Sequence, residues 1–366
     1  MKKRSIGVLA ILAMVIVIYS CKKNTSSEPL KSASLSLPAT TDVYYPTNTF
    51  FSTNSDSLNR VATLGRVLFY DSHLSLNNAV SCESCHKQAL AFADNVSFST
   101  GYQGMQTKRN SLAVSNLSSS GTLFWDGREN NVNDLALRPL TNHVEMGIED
   151  ANTLPQKLGA LSYYNDLFIK AFGDNQVTMI RISSALGTFI NAISATNSRL
   201  DQFNKGNTSV FSALELEGKM LFDTKYNCAS CHNGGGGIGG GGYTGGGFSF
   251  LDIGLDNSYA DLGRGEVTGV STDNGTFKVP DLHNVAITAP YMHDGRYKTL
   301  SEVLDHYSHN IQGSPNLDIR LRDNTGNPIQ MNISDQEKQA IIAFLNTLTD
   351  YTMMTDPKFS NPFKAD

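Results

Sequence analysis

Two five-residue stretches, "CESCH" (82–86) and "CASCH" (228–232), decide how this 366-residue chain is read. Each is a Cys-x-x-Cys pair followed directly by a histidine. The pair alone fits a redox disulfide, a zinc site or a covalently attached haem. The trailing histidine selects the third: two thiols add to the porphyrin vinyl groups, and the next imidazole binds the iron. A zinc site would have to gather ligands from two distant motifs, and a thioredoxin-type motif leaves both histidines without a role. The chain has five cysteines, and these motifs use all but Cys21. Two haem c groups are therefore expected, one on Cys82, Cys85 and His86, the other on Cys228, Cys231 and His232.

The N-terminus accounts for Cys21. "MKKRSIGVLAILAMVIVIYSC" has a basic start, an apolar run and a small residue before the cysteine. It reads as a lipoprotein-type signal peptide over residues 1–20, with Cys21 acylated after cleavage. The apolar run from Ile6 to Tyr19 is short for a span of ~20 residues, which disfavours a transmembrane anchor. Residues 21–45, rich in Ser, Thr, Lys and Pro, read as a flexible tether. The expected location is the periplasm or cell envelope, with the chain held to a membrane by lipid. The formal net charge of −5 gives no reason to expect nucleic acid, and a mildly acidic surface suits a basic redox partner.

An internal echo divides the rest. "GRVLFYD" (65–71) precedes the first motif and "GKMLFDT" (218–224) the second. Leu58, Val61, Leu64 and Leu68 recur at helical spacing before the first, and Ser212 with Glu215 makes a capping box before the second. A last helix should start at Ser334, with Glu337 closing its cap and Ile341, Phe344, Leu345 and Leu348 on its buried face. Long alternating runs are scarce. The expectation is a mainly α protein of two cytochrome-c-like haem domains packed against each other, spanning 46–205 and 206–366. Eleven glycines within residues 234–247 read as a flexible surface insertion.

The two motifs, "LFWDGREN", "NHVEMG" and "VPDLHNVAITAPYMHDGRYKTLSEVLDHY" together resemble the bacterial di-haem cytochrome c peroxidases, from about residue 55 to 350. The resemblance implies that the N-terminal haem meets peroxide while the C-terminal haem takes in electrons. It implies Glu145 as the catalytic acid–base and Trp125, the only tryptophan, as the bridge between haems. It further implies a calcium ion held by the Asn110 side chain and the carbonyls of Thr288 and Pro290.

Three departures bear on the chemistry. Many members have a histidine that blocks the peroxide iron; here Tyr102 stands at that place, and no histidine lies between His86 and His143. The iron is then open, or capped less tightly by Tyr102. A glutamine beside the catalytic acid is replaced by Leu135. The family's methionine ligand to the second iron aligns with Tyr307, with Met292 and Met331 as rivals. Thr299 and Glu302 start a helix on which Leu300, Val303, Leu304 and Tyr307 share a face, leaving His306 and His309 in solvent. A tyrosine ligand resembles the branch of the family, MauG, that matures methylamine dehydrogenase.

The leading expectation is a peroxidase that reduces hydrogen peroxide with electrons from a small cytochrome or copper protein. The alternatives are MauG-like oxidation of a partner protein and a membrane-tethered electron carrier. The sequence leaves open whether the protein is a monomer or a homodimer.

Overall fold

The structure, a computed structural model, describes residues 56–232 and 249–363. The signal segment, Cys21, the tether and the glycine-rich insertion 234–247 lie outside the described residues.

The apolar stripe before the first motif forms α1 (Asp56–Tyr70), which buries Val61, Leu64 and Leu68. It is followed by α2 (Val132–Thr141), α3 (Leu154–Gly159), α4 (Ser162–Phe172) and α5 (Met179–Ala192). α1 packs on α4 and α5, and Leu64, Leu68, Phe69, Phe168 and Phe189 fill the core between them. The rest of the chain forms α6 (Arg199–Asn204), α7 (Ala213–Met220), α8 (Ala229–His232), α9 (Gly265–Thr268), α10 (Leu300–Asp305) and α11 (Asp335–Asn346). Its core joins Leu221 and Phe222 to Ile341, Phe344, Leu345 and Leu348. The capping boxes at Ser212, Thr299 and Ser334 all form. Among the described residues the strands are only β1 (Phe250–Leu251) and β2 (Phe277–Lys278), paired antiparallel. The fold is mainly helical, with two haem-binding domains, as expected.

The sequence echo has a physical cause. A Cβ on Gly65 of α1 would collide with the Ala185 carbonyl of α5, and Phe189 lies beside it. A Cβ on Gly218 of α7 would collide in the same way with the Ala340 carbonyl of α11, beside Phe344. In each half a glycine lets two helix backbones touch, immediately upstream of a Cys-x-x-Cys-His motif.

The chain's end returns to the first core. Met353 and Phe359 pack there, Tyr70 Oη donates to the Phe359 carbonyl at 2.7 Å, and Gln88 Nε2 donates to the carbonyls of Met353 and Asp356.

One expectation is corrected. The helix after Thr299 is not regular through Tyr307: α10 ends at Asp305, and His306–Asn310 widens into a π-helical segment. The wider turn swings His306 inward, so it is 1% exposed rather than solvated. Its Nε2–H donates to the Ile253 carbonyl at 2.9 Å, and among the described residues its Nδ1 has no partner. His309 is exposed, as expected.

Candidate active site

A cavity of about 1390 Å³ is lined by residues of both halves. That exceeds the ~300–1,000 Å³ of a single small-molecule site. Cys85, His86, Cys228, Cys231 and His232 stand in its wall, while Cys82 packs against the first core.

Both motif histidines are oriented from behind. His86 Nδ1 lies 3.0 Å from the Phe92 carbonyl, and His232 Nδ1 lies 3.4 Å from the Pro280 carbonyl. A carbonyl only accepts, so each Nδ1 carries the proton and each Nε2 keeps its lone pair. Burial lowers both imidazole pKa values, His232 to about 4, which keeps them in the neutral form that ligates metals. All four thiols are free. Burial pushes Cys82 and Cys228 up to about 12 and Cys85 to about 11, and raises Cys231 as well. They stand as protonated thiols in the folded chain.

Glu145 also lines the cavity, near enough for its charge to act on Cys82 and Cys85. Burial raises its pKa, opposed by the Arg128 guanidinium and by Asn142, whose Nδ2 donates to Oε1 at 2.6 Å. The loop carrying Glu145 is braced by Tyr102, whose backbone N–H donates to the carbonyls of Val144 and Glu145 at 2.9 and 2.8 Å. The Tyr102 ring lies against Gly147, and its hydroxyl accepts from Gln103. Tyr102 itself does not line the cavity. Leu135, Pro139 and His143 complete this side. Leu135 brings only hydrocarbon to the cavity wall.

Trp125 joins the halves. Its Nε1 donates to the Asn110 carbonyl at 2.9 Å, and its own carbonyl accepts from Lys278 N–H at 2.7 Å. Asn110 N–H reaches the His293 carbonyl at 2.7 Å, and its amide nitrogen is bonded to the Val96 and Ser97 carbonyls. Asn110, Thr288 and Pro290 all lie along the cavity wall. Arg109, next to Asn110, was missed from sequence. It grips Asp261 bidentately at 2.7 Å and also pairs with Asp126. Nothing in "KRN" signals that it clamps the halves, because its partners are distant in sequence.

Tyr307, Met292 and Met331 all reach the same cavity. Burial raises the Tyr307 pKa. Among the described residues its hydroxyl has no hydrogen-bond partner, so a phenol stands unpaired in the wall. Met292 has φ +74°, a strained backbone for a non-glycine residue.

Two family models divide the chain between them. Di-haem cytochrome c peroxidase matches residues 59–209 and cytochrome c matches residues 216–349. The cytochrome c551 peroxidase of Nitrosomonas europaea is 32% identical over 79% of this chain and 80% of its own length. The chain belongs to the di-haem cytochrome c peroxidase family. Another relative, the methylamine utilization protein MauG of Methylorubrum extorquens, is 32% identical over 78% of the chain and 77% of its own length. Among solved structures, a MauG-like protein associated with microbial copper homeostasis superposes with a TM-score of 0.74 at 29% identity, covering 89% of this chain and 98% of that one. The diheme peroxidase BthA from Burkholderia thailandensis shares the fold at a TM-score of 0.67 and 21% identity, over 81% of this chain and 89% of that one.

As a member of this family of peroxidase oxidoreductases, the protein carries two haem c groups, and the cavity fits them. It is large enough for two groups, each end has a free thiol and a neutral, pre-aimed imidazole, and its walls are mostly carbon. The di-haem peroxidase fold thus supplies at each motif the donor set that a c-type haem needs.

Proposed function

We propose that this protein reduces hydrogen peroxide to water with electrons from a small cytochrome or copper protein. The observation that carries the reading is Glu145: a half-buried carboxyl lining the haem cavity, beside the first attachment motif, where electron transfer alone needs no acid. The haems supply the irons that exchange electrons and bind peroxide, attached through Cys82, Cys85, Cys228 and Cys231 with His86 and His232 as ligands. In the balanced reaction one peroxide takes two electrons and two protons and gives two waters. With the haems bound, Glu145 would accept a proton from one peroxide oxygen and return it to the other as the O–O bond breaks. Asn142 holds the carboxylate in place, and Arg128 stabilises its charge. With the haems bound, electrons would enter at the His232 end and pass Trp125 to the His86 end.

Tyr307 is the proposed second ligand of the His232 iron, ahead of Met292 and Met331, because its hydroxyl is otherwise unpaired. Asn110, Thr288 and Pro290 hold a calcium ion, consistent with hard oxygen donors along one wall. The domains run 46–205 and 206–366, and lipid on Cys21 tethers the protein in the periplasm.

A second reading, peroxide-driven oxidation of a partner protein, is favoured by Tyr307 and by the lack of any histidine between His86 and His143. A steady-state assay separates the two. With peroxide and a reduced cytochrome, the peroxidase reading expects two cytochromes oxidised per peroxide consumed. Rapid peroxide loss with no cytochrome oxidised contradicts it and supports the second.

A further inference from the structure

Among the described residues, Lys278 is a buried cation without an anion. It is 8% exposed and lines the cavity. The other lysines and arginines of the cavity wall, Lys108, Arg109, Arg128, Lys225, Arg296 and Arg320, each have a carboxylate partner. Among the described residues Lys278 has none, and its ammonium makes no hydrogen bond. The carboxylate closest in sequence, Asp281, is already engaged: its Oδ1 accepts from His283 Nδ1 at 2.7 Å, and its Oδ2 accepts from Asn116 at 3.1 Å. Burial lowers the Lys278 pKa, with Asp281 only partly opposing. An ammonium left buried and unpaired loses its hydration with nothing in return, and a flexible lysine on a strand edge could turn to solvent instead. It is held inward by β2, whose backbone is bonded to Trp125.

We propose that Lys278 is the counter-ion of a propionate carboxylate of a haem bound in this cavity, beside Trp125. A porphyrin brings carboxylates into an otherwise apolar space, and each needs a cation or hydrogen-bond donors there. Every other cation of the wall is neutralised by the protein itself. Lys278 thereby anchors the edge of the macrocycle at the junction of the halves and adds positive charge next to an iron, which favours its ferrous form. This role rests on the presence of two haems but not on Glu145 or peroxide.

The test uses the full chain made in a host that attaches haem c, as wild type, Lys278→Gln and Lys278→Arg. Intact mass first confirms two porphyrins in the wild type, independently of Lys278. Resonance Raman then reads the propionate bending band, and spectroelectrochemistry at pH 8, where a free propionate keeps its charge, reads both potentials. The expected result is a shifted band and a lowered potential for one haem in Lys278→Gln, with both restored in Lys278→Arg. If Lys278→Gln loads one porphyrin fewer, recovery of full loading by Lys278→Arg supports the anchor equally. Unchanged band and potentials in Lys278→Gln overturn the proposal, as does a Lys278→Arg protein that fails as Lys278→Gln does.

Discussion

Glu145 shows how much a single side chain depends on its surroundings. Burial raises its pKa, so the folded protein binds that proton more tightly than the unfolded chain. The sign follows. Above its folded pKa the charged carboxylate costs stability, and the cost vanishes as pH falls below the ordinary glutamate range. Glu145→Gln should therefore raise the melting temperature at pH 8, with the gain fading toward pH 4. The same substitution should cut peroxide turnover by about 10²–10⁴-fold with both haems loaded, and remove the acidic limb of the kcat/KM profile. A stabilised but fully active variant would show that the acid–base role is misassigned.

His306 is the residue the sequence reads wrongly. Its position relative to Leu300 and Leu304 points outward only while the helix keeps 3.6 residues per turn, and the π-segment breaks that phase. The cause lies at Ile253, whose carbonyl captures Nε2 from far along the chain. His306→Ala should cost about 1–3 kcal/mol in denaturant unfolding by leaving that carbonyl unpaired. The unpaired cation at Lys278 is equally invisible in sequence, because it is defined by the partners it lacks.

At the scale of elements, local signals are legible and contacts are not. The three capping boxes and the helical stripes follow from spacings of three and four residues, which act within one turn. The "GRVLFYD"/"GKMLFDT" echo is legible as a repeat, but the reason for its glycine appears only in the helix crossings. The repeat also extends further than the echo shows. "WDGR" (125–128) and "HDGR" (293–296) form the same turn, with Gly127 at φ +68° and Gly295 at +64°, and with Arg128 paired to Asp126 as Arg296 is to Asp294. The residues before these turns, Phe124 and Met292, share positive φ. The glycines at the crossings give a sharp prediction. In an exposed helix Gly→Ala gains about 1 kcal/mol, but at Gly65 or Gly218 the new methyl meets a backbone carbonyl that cannot step aside. Each substitution should instead destabilise by about 1–3 kcal/mol, measured by thermal or denaturant unfolding. A stabilised Gly65→Ala or Gly218→Ala would contradict the crossing geometry.

The whole molecule is two haem domains made to work as one circuit, and the join is polar. Arg109 links Asp126, beside Trp125, to Asp261 in the other half. Arg109→Gln removes the cation that Asp126 and Asp261 share, leaving Asp126 to Arg128 and Asp261 to Lys108, and should cost about 1–3 kcal/mol, read by denaturant unfolding. It should also slow electron passage between the haems while leaving both attached. No short-range pattern encodes this join, which is why the sequence yields the two domains but not what holds them together. The most direct test of the circuit needs no external partner. The fully reduced protein holds two electrons, one per iron, and is titrated anaerobically with hydrogen peroxide while both haems are followed by absorbance. One molar equivalent of peroxide should reoxidise both irons completely, whereas reoxidation of a single haem, or persistence of both ferrous spectra after that equivalent, would contradict the account.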